Sequence, residues 1–186
     1  MLMFMNKLKL LLAANYLNNF GWALYSPLYA LFVLKIGGSG FSISILWAVY
    51  ALVTGLLIML FGHLENQKRL RPARMLYVGY GLFAVVGAGY LLVSTIWQFL
   101  VVQLVLACAM GIMTPASKAT YMAAEAKGQE AGQWGIFDGG NYIIIAVAAL
   151  VGGLLYKTGG FRVIFVVMIL VQMSASYVAY RNWKTV

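Results

Sequence analysis

Apolar residues in this chain run in long uninterrupted blocks: residues 10–34, 36–62, 75–117, 139–156 and 163–180 contain no Asp, Glu, Lys, Arg or His. A helix crossing the hydrocarbon core of a bilayer needs about 20 mostly apolar residues. Each block therefore holds a span, and 75–117 is long enough for two. It divides at Ser94-Thr95-Ile96-Trp97-Gln98, where small polar residues and an interfacial tryptophan mark a turn near the headgroups. The pattern predicts six helices, at about 8–34, 42–62, 73–94, 97–122, 133–157 and 161–180. Lipid offers the backbone no hydrogen-bond partner, which leaves only helices or a closed barrel. Barrel strands would alternate apolar and polar positions over about ten residues, whereas "LFAVVGAGYLLV" and "IIIAVAALVGGLL" are continuously apolar. Lys7 and Lys9 give the first segment the look of a signal peptide, but Asn15, Asn18 and Asn19 interrupt it. A retained first helix is expected.

Composition agrees with an all-α membrane protein forming a single six-helix domain over residues 1–186. Hydrophobic residues make up 63%, charged residues 9%, and the mean hydropathy is +0.89. A soluble domain carries about 25% charged residues, so this chain has too little polar surface to cover a water-facing globule. Its basic residues are placed unevenly. Lys7, Lys9, Lys68, Arg69, Arg71, Arg74, Lys127, Arg181 and Lys184 fall on one side of the predicted spans, and only Lys35, Lys157 and Arg162 on the other. The positive-inside rule then makes both termini and the 62–74 connection cytoplasmic, in the cell membrane. The net charge of +9 reflects this bias and attraction to anionic headgroups, and no nucleic-acid partner is expected.

Polar residues within the spans are the candidate chemistry, because amides facing lipid are costly. Asn15, Asn19, Trp22, Ser26 and Tyr29 recur at i, i+4, i+7, i+11 and i+14 along the first span, with Asn18 and Tyr25 beside them. They either bond neighbouring helices or line a water-filled cavity that binds a polar solute. Gln103, Met110, Thr114, Ser117 and Tyr121 form a parallel stripe on the fourth span, and Tyr50 and Thr54 lie on the second. The cavity reading selects Asn15, Asn19, Trp22, Tyr25, Tyr50, Gln103 and Thr114 as solute-binding residues. Lys118 and Asp138 are equidistant in sequence from Gly128 and are expected at similar depth, either as an ion pair fixing two helices or as a gate or coupling site. Glycines in the third and fifth spans allow close helix approach, and Gly139-Gly140 offers a place to bend.

Enzymatic chemistry has little support. One histidine, His63, and one cysteine, Cys108, do not make a zinc site, no serine accompanies His63, and no lysine-bearing phosphate loop occurs. No cofactor and no metal are expected. Cys108 reads most simply as a small core residue.

Three segments resemble one family. "LLIMLFGHLENQKRLRPARMLYVGYGL" is similar to the loop between helices 2 and 3 of the major facilitator superfamily, with Gly62 and Leu64 matching, Asn66 where the signature has aspartate, Glu65 beside it, and the second glycine missing. "GIMTPASKATYMAAEAKGQEAGQWGIF" resembles the fourth helix and following loop through Gly111, Pro115 and Glu125. "AVAALVGGLLYKTGGFRVIF" resembles the end of the fifth helix and start of the sixth through Gly152-Gly153, Gly160-Phe161-Arg162 and Phe165. The fourth span lacks the early arginine common in the family's drug and proton antiporters, and Gln103 lies nearest.

The resemblance implies one six-helix half of such a transporter, built as two three-helix inverted repeats. Intervals of 20 residues from Pro27 to Trp47 and 19 from Pro115 to Trp134 fit such a repeat, while those of 15 from Trp47 to Gly62 and 18 from Trp134 to Gly152 match less closely. It implies a secondary transporter of a small solute. Alternating access would come from a parallel homodimer with its two-fold axis along the membrane normal. In this picture Glu65, Asn66, Lys68 and Arg69 dock near the start of the partner's fifth helix, and Glu125 pairs with an arginine of its own loop. The other reading is a non-transporting membrane subunit that packs against or regulates a larger protein.

Overall fold

The computed structural model describes residues 2–67, 69–123 and 128–184, which are helical with short connections and contain no strand. The first helix, α1, runs from Leu2 to Ala23, followed by a 3-10 turn at Ser26–Leu28 and a short α2 at Tyr29–Lys35. The single first span expected over 8–34 is thus interrupted. Pro27 has no N–H to donate and disfavours helical geometry at the residue before it, and the chain tightens there through bonds from Tyr25 N–H to the Trp22 carbonyl and Leu28 N–H to the Tyr25 carbonyl.

The remaining helices follow the apolar blocks. Helix α3 spans Gly40–Asn66 and is capped by Ser39, whose hydroxyl accepts from the Ser42 N–H at 3.2 Å. Helix α4 spans Pro72–Leu92, with proline in the first turn where its missing N–H costs nothing. Helix α5 spans Ile96–Ala123; Thr95 accepts the Gln98 N–H, and Trp97 is exposed, as expected of a turn at the headgroups. Helix α6 spans Glu130–Lys184 but is broken at Gly160, whose φ of 65° leaves the helical region, so it consists of two arms, 130–159 and 161–184. Among the described residues four helices, α3, α4, α5 and α6, are long and apolar enough to cross a membrane. The connection read as 62–74 is shorter in fact, because Gly62–Asn66 still belong to α3.

Packing is specific in partner and direction. Helix α6 lies on α1 and α4, and α5 lies on α3 and α4. Two glycines let α6 approach α1. A Cβ at Gly140 would collide with the Tyr16 ring and hydroxyl, and one at Gly152 with the Leu24 carbonyl oxygen. By contrast, Gly139 has nothing near it, and the helix continues through Gly139-Gly140 without the expected bend.

Candidate functional site

The polar residues predicted on the first span divide into two groups according to the elements they face. Asn15 and Asn19 turn toward the 130–159 arm. The Asn141 side-chain oxygen accepts both amides, from Asn15 at 2.8 Å and from Asn19 at 2.9 Å, and Asn19 also reaches the Asn15 carbonyl at 3.1 Å. Tyr16 donates to the Ile136 carbonyl at 2.6 Å on the same seam. Asn15 is buried, while Asn19 and Asn141 are only half-buried, so the triad joins two helices and still presents one open edge. Asn18 stands outside this triad: its backbone carbonyl accepts the fully buried Gln172 amide at 3.0 Å, and its own side-chain oxygen is buried without a hydrogen bond.

The second group is aromatic. Tyr25 is fully buried, with its ring 4.9 Å from Tyr90 and 5.3 Å from Phe165, and Trp22 meets Tyr25 and Phe83 edge-on. Tyr90 donates to Gln103 at 3.1 Å, and the ring of Tyr29 packs on Phe99 one turn before Gln103. The Tyr25 hydroxyl is buried without a hydrogen bond, while the Tyr29 hydroxyl and the Gln103 amide face each other. Burying a polar group unpaired costs free energy, so Tyr25 is the member of this packed cluster of rings with hydrogen-bonding capacity to spare. Tyr25 and Gln103 are therefore brought together around Tyr90. Tyr50 and Thr54 sit on α3, where the Tyr50 ring lies tilted against Trp47 and its hydroxyl faces that of Thr54; Thr114 on α5 is half-buried with its hydroxyl unpaired.

None of these groups carries charge near neutral pH. A solute at either cluster would meet amides, hydroxyls and rings.

A sequence model of the Major Facilitator Superfamily matches residues 11–181. The chain belongs to the major facilitator superfamily. No curated protein matches its sequence. The superfamily consists of membrane transporters, and this member is a multi-pass membrane protein.

The superfamily member's charged candidates behave differently from its polar ones. Glu65 is half-buried and Asn66 exposed on the last turn of α3, and Arg69 is exposed just beyond, its N–H bonded to the Leu64 carbonyl. His63 is used locally, against the Gln67 side chain at 2.7 Å. Lys118 and Asp138 are both exposed and make no ion pair with each other. The reason is topological: α5 packs on α3 and α4, and the 130–159 arm packs on α1, so the two helices meet mainly through long aromatic side chains. Tyr121, Trp134 and Phe137 occupy that contact, and Tyr121 donates to the Gln133 carbonyl. Lys68 and Glu125 lie outside the described residues. Cys108 is exposed, not a core residue, on the outward face of α5.

Three participants escaped the sequence reading of the site. Tyr90 has no neighbour in sequence that marks it. Asn141 follows Asp138 in an ordinary-looking polar run, and Gln172 is the sole amide within "ILVQMSAS", which was the available signal.

Proposed function

We propose that the chain is a secondary-type transporter of a small solute, working by alternating access, with six spans contributed by α1–α2, α3, α4, α5 and the two arms of α6. The observation that carries this reading is the pattern of helix contacts, which is unchanged when the first three spans are exchanged for the last three. The first and fifth spans run parallel, Tyr16 meeting Gly140 and Leu24 meeting Gly152; the second and fourth also run parallel, with Leu57 against Gly111 and Gly62 near Pro115. The third and fourth run antiparallel, with Gly79 at Met113 and Gly89 at Val102, as do the sixth and first, with Gln172 at Gly21 and Phe165 at Tyr25. Such a pattern supports two inverted three-helix repeats, the architecture on which rocking transporters are built.

The facing unit in this proposal is a second copy of the same chain, parallel and related by a two-fold axis along the membrane normal. Only 17% of the apolar window of α3 is buried, leaving Leu52, Leu56 and Met59 outward, and Ile136, Tyr142 and Ile143 are outward on α6. The candidate binding groups are Tyr25, Gln103 and the Asn15–Asn19–Asn141 edge, with Trp22, Tyr50 and Thr114 around them. Glu65, Asn66 and Arg69 would engage the partner near Gln133 and Asp138 and bias opening, with Lys118 and Glu125 as further gating groups.

Liposomes containing only this chain should accumulate a solute from a chemically diverse panel, and cysteines at 66 and 133 should crosslink between copies. Purified protein that binds and moves none of the panel, and fails to crosslink, would favour the alternative of a non-transporting subunit.

Both termini are proposed to be cytoplasmic in the cell membrane. With Cys108 replaced by alanine, a membrane-impermeant maleimide applied to intact cells should label Ser39→Cys and leave Arg69→Cys unlabelled. The opposite pattern would invert the topology.

A further inference from the structure

At the end of the bundle where α2 stops and the 161–184 arm begins, a cavity of about 630 Å³ opens between Phe32, Lys35, Tyr90, Leu92, Ser94, Arg162 and their neighbours. Its position is unusual for its charge. The side of the protein on which it lies has only Lys35, Lys157 and Arg162 as basic residues, and two of those three line this one cavity. None of the chain's four acids does. Lys35 lies over the Phe161 ring, 5.4 Å from its centre, which holds the ammonium at the mouth without neutralising it. The arm that starts after Gly160 also directs its N-terminus here, adding a partial positive charge.

The floor of the cavity is apolar. Phe32, Tyr90, Phe161 and Phe165 form it, and from its rim the exposed Leu92, Ala88 and Val85 continue along one face of α4. Seven residues of helix rise about 10 Å, which falls within the half-thickness, about 15 Å, of a bilayer's hydrocarbon core. A cationic mouth joined to an apolar track of this length fits an anion that carries a chain, not a free anion.

We propose that the Lys35–Arg162 cavity seats the anionic headgroup of a membrane lipid, with an acyl chain lying along Leu92, Ala88 and Val85. The cavity shares Tyr90 and Phe165 with the aromatic cluster around Tyr25, but its basic mouth, Lys35 and Arg162, belongs to neither solute cluster, and the proposal holds whether or not the chain transports.

The test is native mass spectrometry of the full-length purified protein with phosphatidylglycerol or phosphatidylcholine added. Wild type should retain phosphatidylglycerol in preference to phosphatidylcholine. A basic residue near a membrane surface contributes about a fivefold gain in affinity for an anionic lipid, so Lys35→Gln with Arg162→Gln should weaken retention about thirtyfold. Lys157→Gln, on the same side but outside the cavity, should leave it unchanged, and Lys35→Arg with Arg162→Lys should largely preserve it. Equal retention of the two lipids by wild type would overturn the proposal without recourse to any variant. So would displacement of the lipid by millimolar inorganic phosphate, which would assign the cavity to a soluble anion.

Discussion

Gly152→Val is expected to leave little correctly folded protein, whereas Gly153→Val one position later should be tolerated. The difference lies in what each new side chain meets. A Cβ at Gly152 would overlap the Leu24 carbonyl oxygen and stand 2.8 Å from its carbonyl carbon, and backbone cannot rotate aside as a side chain can. A Cβ at Gly153 has nothing within 4 Å. Overpacking in a filled interior costs about 1–3 kcal/mol, and more when the obstructing atoms are fixed. The only relief is to push α1 away from the 130–159 arm, which would also break the bonds to Asn141. Fluorescence-detected gel filtration after stepped heating should therefore show Gly152→Val aggregating well below wild type. Equal melting of the two variants would mean that α1 does not pack closely on that arm.

Asn141→Ala is the second large effect. It removes the acceptor for two amides at once, leaving Asn15 in a buried position without its partner. Hydrogen bonds between membrane helices contribute about 0.6 kcal/mol on average and up to about 1.7, so the loss should be about 1–3 kcal/mol. Asn15→Ala and Asn19→Ala should each cost less than Asn141→Ala, and combining either with Asn141→Ala should add little. Steric-trapping measurements of unfolding in bicelles would read these differences. An Asn141→Ala protein of unchanged stability that has lost solute binding would reassign the triad from a helix seam to the binding surface.

The division between these two roles marks the boundary of what could be read along the chain. Apolar blocks located the helices to within a few residues, because crossing lipid demands length and hydropathy more than any particular residue. Pro27 was visible, yet the break it causes was not anticipated; the block from 10 to 34 satisfied every compositional requirement of one span. Asn15 and Asn19 separate from Tyr25 because they face different partners: the two amides meet the 130–159 arm, while Tyr25, like Asn18 before the break, faces the 161–184 arm. Lys118 and Asp138 failed as a pair for a different reason. Equal distance from a connecting loop gives equal depth only, and two helices consecutive in sequence need not be neighbours in space when each has a better partner elsewhere. Tyr90 and Asn141 became meaningful through contacts 13 and 126 residues away, which no local pattern encodes.

The seam between α1 and the 130–159 arm also sets an order of events during synthesis. Asn15 and Asn141 are separated by 126 residues, and a ribosome adding about 5–20 residues per second takes roughly 6–25 s to cover that interval. Throughout it α1 is already made, and the Asn15 amide lacks its mate, while Asn19 can turn back to the Asn15 carbonyl within the same helix. Until the 130–159 arm arrives, the Asn15 amide must find its hydrogen bonds in water or in the insertion machinery.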